Sequence, residues 1–312
     1  MKRFFYALQL PLFLACNFFI FTTVLELTGS NYNPDKYSSG VPEYNGQEEF
    51  DPSLQRLNSL KSLERFCDSL FLAKQQIQEN IQFEEAYPEI VVSTVRRRFY
   101  HGYSTFGLSN NFAALAFEPL TGKKASAIVL PDQLLKYSYA ACSQQSIVVM
   151  SLLKEKGFIS RVVGFSGKRN GHFSFETYYK GGWHFFDPNM EPDQKLLDGY
   201  NRPSMAFLAS NTPVLMAAYK HLPKEMVLDI FPNYTIGEPN VALAPWATLY
   251  QNVTQFLSYT LWSFFLLAFI LVRIKYRKLS LSTNVRHSRI YFSHLHKGTS
   301  AVPYPNYTTQ GA

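Results

Sequence analysis

Two long runs without a charged residue constrain this chain more than any other feature. Residues 4–25 form one and residues 253–272 the other, 22 and 20 residues long. About 20 apolar residues span a hydrocarbon core of about 30 Å, so each run is long enough to cross a bilayer. The second, VTQFLSYTLWSFFLLAFILV, ends directly in RIKYRK, a stop signal by the flanking-charge rule. The first follows MKR, which would suit the n-region of a signal peptide. It is long for such a segment, and no small-x-small cleavage site follows it. LFLAC around Cys16 has the look of a lipoprotein signal, but the apolar run continues for nine residues beyond the cysteine. Residues 1–28 therefore read as an uncleaved anchor, and 253–272 as a second transmembrane helix.

Charge follows the same division. The chain carries 30 basic and 23 acidic residues, a formal net charge of +7. Nine of the bases flank the two runs: Lys2 and Arg3 before the first, and Arg273, Lys275, Arg277, Lys278, Arg286, Arg289 and Lys297 after the second. The rest holds 21 bases against its 23 acids and is close to neutral. Nucleic-acid binding would need a basic stripe on the folded body, so no nucleic-acid partner is expected. By the positive-inside rule both termini belong in the cytoplasm, and residues from about 28 to 252 face the extracytoplasmic space. Residues 273–312 read as a basic cytoplasmic tail.

Between the runs, residues 29–50 are rich in Gly, Asn, Ser and Pro and read as a linker. Residues 51–130 read as a helical region. Leu54, Leu57, Leu60, Leu63, Phe66, Leu70, Ile77 and Ile81 recur at helical intervals, predicting one amphipathic helix from Asp51 to about Glu85. Asp51-Pro52 suits its start, and Pro88 either stops it or separates it from the next helix. The triplet Arg96, Arg97 and Arg98 reads as a solvated helix face, with contact to acidic substrate groups as the alternative. Residues 131–235 read as a core with a C-terminal extension, and within them 138–187 is the clearest part. A helix at about 142–156 ends at Gly157, the strand SRVVGFSG follows, and two further strands meet near Lys180-Gly181-Gly182. Residues 190–252 mix short helical patterns with prolines. The overall class is α+β.

This part also carries the only residues that propose a reaction. Cys142 opens the helix SYAACSQQSIVVMSLLKEKG, His172 opens the run HFSFETYY, and Asp187 closes GGWHFFDPN. A thiol must ionise before it attacks, and both a helix N-terminus and a neighbouring imidazolium favour the thiolate. If Lys180-Gly181 is a two-residue turn, Ser174 lies opposite Asp187, and His172 is its diagonal neighbour on the same face. Taken singly, each residue has a plainer reading: a packed cysteine, a core histidine, an Asp-Pro turn. Their order on suitable elements favours a nucleophile, a base and an orienting acid. Of the other cysteines, Cys67 reads as a small buried core residue; a Cys67–Cys142 disulfide would mask the nucleophile. No Cys-x-x-Cys or His-Glu-x-x-His pattern occurs, and GKRNG lacks the strand-to-helix context of a phosphate loop. No metal and no cofactor are expected.

These residues resemble the transglutaminase-like superfamily over about residues 130–190. Cys142 in ACSQQSIVVMSLLKEKGFISRVVGF, His172 in GHFSFETYY and Asp187 in GGWHFFDPN match its cysteine, histidine and aspartate, and Trp183 and Pro188 fit the last motif. The resemblance implies a papain-like core with the helix packed on an antiparallel sheet. It also implies acyl transfer or hydrolysis through a cysteine thioester: Cys142 attacks a carbonyl, His172 shuttles the proton and Asp187 orients the ring. The Cys142 N–H is the default oxyanion donor, with Gln133, Gln144 or Tyr139 as candidates for a second. The expected partners are an extracytoplasmic peptide, protein or amide substrate and the membrane itself. The alternative is a catalytically inactive envelope binding or assembly protein with the same fold. A transporter fits poorly, because the two runs hold no ionisable residue to mark a pathway.

Overall fold

A computed structural model of the chain describes residues 2–28, 42–44, 46, 49–78, 80–122, 124–169 and 171–297, without the side chains of residue 2 and residues 282–297. Most of the linker expected at 29–50 and the end of the basic tail, 298–312, lie outside the described residues. The chain divides into two compact units, Met1–Thr23 with Tyr259–Ala312, and Val24–Ser258. Among the described residues, two helices are long and apolar enough to cross a membrane.

In the first unit, helix α1 (Lys2–Thr28) carries Pro11 inside it and runs beside the last helix of the chain. The Phe19 and Phe265 rings stack with centroids 4.9 Å apart, and the Cys16 thiol faces the Trp262 carbonyl at 3.6 Å.

The second unit starts with helices. Asp51 accepts from the Ser53 N–H at 3.0 Å and opens only a 3-10 turn, Pro52–Arg56. The chain then restarts at Ser59, whose hydroxyl exchanges bonds with Ser62 in a capping box and begins α2 (Leu60–Ile77). Helix α3 follows (Phe83–Arg98). The single helix expected over 51–85 is therefore two helices and a turn. Its leucines kept a helical interval across the break because Leu54, Leu57 and Leu63 all enter one core. Pro88 neither stops nor separates these helices; it lies inside α3, where its ring removes one backbone bond.

Strand β1 (Tyr100–His101), α4 (Phe112–Thr121), α5 (Pro131–Leu134) and β2 (Tyr139–Ala140) lead to α6 (Cys142–Glu155). Gly157, at φ +83°, ends α6 where a residue with a Cβ would be strained. Strands β3 (Ile159–Ser166), β4 (Gly171–Tyr179) and β5 (Gly182–Phe186) come next. Lys180 and Gly181 turn between the last two, both with positive φ (47° and 76°), the backbone of a type I′ hairpin. Four short helices follow: α7 (Gln194–Gly199), α8 (Met205–Ser210), α9 (Thr212–Ala218) and α10 (Lys224–Ile230). Strand β6 (Tyr234–Ile236) and α11 (Pro245–Lys297) complete the chain.

The four-stranded sheet is antiparallel throughout, in the order β5-β4-β3-β6. The structure is thus α+β, as expected. Each sheet face has its own core. Phe175 and Phe186 meet α2, α3 and α6 on one side, while Val163, Phe165 and Phe185 meet α7–α10 on the other. Alternation along the strands sends neighbours such as Phe185 and Phe186 to opposite cores.

Arg98 departs from the sequence reading of its triplet. It is buried, and its guanidinium donates to the carbonyls of Leu135 and Tyr137 at 2.7 and 2.8 Å, fixing the turn that leads into β2. Arg96 and Arg97 stay nearer solvent and pair with Glu49 and Asp51. Cys67 is free and fully buried, and burial pushes its thiol up to about 12, which makes it inert.

Candidate active site

Cys142 is the first residue of α6, so its N–H has no acceptor within the helix. The start of α6 is fixed by Gln144. Its side-chain oxygen accepts from the N–H groups of Ala141 and Ser104 at 3.1 and 2.9 Å, and its amide donates to the carbonyls of Ser104 and Ile128 at 2.7 and 3.0 Å. All four hydrogen-bonding positions of that side chain are used. Gln144 is therefore a clamp on the start of the Cys142 helix and has no donor left for an oxyanion. Tyr139, another candidate donor, is buried between the rings of Tyr100 and Tyr137. Gln133 stands on α5.

His172 lies at the start of β4, and Asp187 follows the last residue of β5. The register pairs Phe175 with Phe186, which makes Ser174 the next pair with Asp187 and puts His172 on the same face. The contact follows: His172 Nε2 lies 2.8 Å from Asp187 Oδ2. Cys142 hydrogen-bonds the same ring. With Nε2 held by Asp187, Nδ1 is the ring nitrogen left for the sulfur. The three residues separated in sequence by up to 45 positions thus converge through one ring.

Both members of the pair are buried, His172 at 5% exposure and Asp187 at 1%. Burial opposes a charge on the ring, but the Asp187 carboxylate and its hydrogen bond, and then Cys142, outweigh it; His172 is pushed up to about 10. For Asp187, burial alone would raise the carboxyl. The His172 charge and hydrogen bond, with the N–H groups of Met190 and Asn189, hold it below the ordinary carboxylate range. Those two N–H groups reach Oδ1 at 3.1 and 3.0 Å, and the Tyr219 hydroxyl donates to Oδ2 at 2.8 Å. Phe165 stacks on the imidazole at 5.5 Å and Phe231 meets its edge at 6.0 Å. The ring is thus held by apolar walls on two sides and an acid on a third, a setting that favours one tautomer and one orientation.

Two residues of the site had no signal in the sequence. Tyr219 comes from the end of α9, in a stretch of mixed patterns. Burial and the Asp187 charge push its phenol up, so it remains a donor. Tyr103 is the other: burial, and then the Cys142 sulfur, raise its phenol, while the ring is half exposed. Its neighbour Ser104 is the residue that Gln144 grips. No group of three or more His, Cys, Asp or Glu side chains among the described residues could hold a metal ion. Comparison with protein-family models, curated proteins and solved structures gave no match.

Proposed function

We propose that this chain is a membrane-anchored thiol hydrolase or acyltransferase of transglutaminase-like type, with a papain-like core, acting on an extracytoplasmic peptide or amide. The observation that carries it is the buried pairing of His172 Nε2 with Asp187 Oδ2 in a ring whose charge Cys142 also favours. In this reading the Cys142 proton already rests on the charged His172 ring, and the sulfur attacks the substrate carbonyl as a thiolate beside it. The Cys142 N–H donates to the developing oxyanion. Collapse of the tetrahedral adduct expels the amine, which takes the proton back from His172 and leaves a thioester on Cys142. Water or a second amine then attacks the thioester, losing a proton to His172, and the sulfur departs as the thiolate beside the recharged ring. Asp187, fixed by Tyr219 and two backbone N–H groups, keeps the imidazole oriented and stabilises its charge. The two apolar helices span the membrane, with both termini on the cytoplasmic side and the folded body outside.

The test is the alkylation rate of Cys142 by an iodoacetamide probe at pH 7, on the full chain in lipid nanodiscs. His172→Ala is expected to slow it by roughly 10²-fold or more, the lower end of what a positioned base contributes. Equal rates for the two proteins would overturn the thiol chemistry and leave an inert protein of the same fold.

A further inference from the structure

The structure holds a surface that the chemistry of Cys142 does not use. Between Arg98 and Lys123 the chain has a single side chain with a full charge, Glu118. That carboxylate is occupied locally, accepting from the Ser126 hydroxyl at 2.8 Å and the Ser126 N–H at 3.3 Å. The segment includes α4, a short apolar helix; Phe106 and Phe112 are buried, yet three of its leucines are not sheltered. Leu108 is 67% exposed, Leu115 38% and Leu120 82%. Exposed leucines on and beside one short helix suit an interaction surface rather than a core.

Its position along α11 says what covers it. Four bonds tie α4 and its cap to α11. The Tyr250 hydroxyl donates to the Ala114 carbonyl at 2.7 Å, and Asn111 donates to the Gln251 carbonyl at 3.2 Å. The Ser258 hydroxyl accepts from the Ala113 N–H at 3.2 Å and faces Asn111 Oδ1 at 3.4 Å. Gln251 adds a second attachment through the Val129 N–H and the Ala125 carbonyl, at 3.0 and 3.2 Å. Ser258 lies five residues beyond Val253, the outer end of the 20 residues that precede Arg273, about 7.5 Å along the helix at 1.5 Å per residue. An amphipathic helix resting in a bilayer interface lies about 5–10 Å into the headgroup boundary, the same level. Just before the run, Trp246 stacks on Tyr250 at 5.4 Å, aromatic residues of the kind that gather at that boundary. Lys123 and Lys124 follow α4 in the sequence, suited to anionic headgroups.

We infer that α4 and the loop before it form a membrane seat, with Leu108, Leu115 and Leu120 inserted into the outer leaflet beside the point where α11 enters it. The occupant is the lipid bilayer, and the inference rests on residues 253–272 being a span. The seat also braces the site. Its flanking residues Ser104 and Ile128 are the ones bound by Gln144, two residues after Cys142.

The test uses the full chain with Cys142→Ser, in which the remaining cysteines, Cys16 and Cys67, are buried. Bimane is attached to Leu115→Cys or Leu120→Cys in nanodiscs containing lipids spin-labelled near the top of the acyl chain. Both side chains are exposed, so their replacement leaves the packing intact. Leu72→Cys, 57% exposed on α2, serves as the aqueous reference, and Leu267→Cys as the reference within the span. Labels at 115 and 120 are expected to be quenched at least threefold more than at 72. Quenching at 267 with none beyond the Leu72 level at 115 and 120 would overturn the seat and leave the span standing. No quenching at 267 either would overturn both.

Discussion

The same face of the sheet holds two buried acids with opposite consequences. Glu176, in the middle of β4, is fully buried and is gripped by Arg161 through Nε and Nη2, each 2.7 Å away, with the Met205 N–H as a third donor. The Arg161 guanidinium lies over the Trp183 ring at 3.9 Å. Asp187, just after the end of β5, is equally buried and accepts four hydrogen bonds to the three of Glu176, but its charged partner is a histidine. An arginine does not give up its proton in a protein, so the Glu176 pair can only fix structure. An imidazole can, and it stands at the strand end beside a thiol. Burial and hydrogen bonding are alike in the two places; the acidity of the partner and its access to Cys142 separate chemistry from scaffold.

The sharpest way to break the comparison is to break the structural pair. Glu176→Ala leaves the Arg161 charge and the Met205 N–H without their acceptor. Removing one partner of a buried ion pair costs about 3–5 kcal/mol. Chemical denaturation of the full chain should show that loss, while the alkylation rate of Cys142 per folded molecule stays at the wild-type value. A large fall in that rate would mean that the two acids are not separate in function.

The next effect is a pH dependence that belongs to the Asp187–His172 pair and not to the Glu176 pair. The folded His172 titrates near 10, against an ordinary histidine value of about 6.5. A raised folded value means the stabilisation is complete below the ordinary value and is lost as pH rises through about 10. Asp187 is shifted down, so its own contribution holds above the ordinary carboxylate range and fades only in acid. The apparent thermal midpoint of the wild type should therefore fall by several degrees between pH 7 and 10. In His172→Gln that part of the fall should disappear. Lys156, whose pKa is raised above 10.5, keeps its charge over this interval and does not mimic the effect. Parallel profiles for the two proteins would refute the assignment of a charged imidazole.

Much of this comparison was legible in the sequence, for a physical reason. Strand parity is local: once Lys180-Gly181 is read as a two-residue turn, the pairing of Ser174 with Asp187 and the face of His172 follow without any knowledge of the core. The helix that opens on Cys142 and stops at Gly157 is equally local. Other features depend on residues far apart in the chain and left no pattern. Arg98 reads as one of three surface bases, but carbonyls 37 and 39 residues away make it a buried clamp. Gln144 reads as a spare donor near the sulfur, yet Ser104 and Ile128 consume it. The break between Arg56 and Leu60 escaped because both sides of it feed leucines into one core, and periodicity reports burial rather than continuity.

Tyr219 gives the smallest and most selective test. Its hydroxyl is one of four donors to Asp187, and it approaches Oδ2, the oxygen that also faces His172. Tyr219→Phe removes one hydrogen bond to a charged group, worth about 1.5 kcal/mol, and keeps the ring against Phe231 at a centroid distance of 4.3 Å. If Tyr219 only packs, stability changes slightly and the titration of His172 is untouched. If it positions the acid, Oδ2 loses a competing donor and offers more of its charge to the imidazole. The His172 titration, followed by NMR of the labelled ring, should then move upward while Cys142 remains alkylated at close to the wild-type rate. A downward or absent shift would assign Tyr219 to the core beneath the sheet and leave His172 and two backbone N–H groups as the whole support of Asp187.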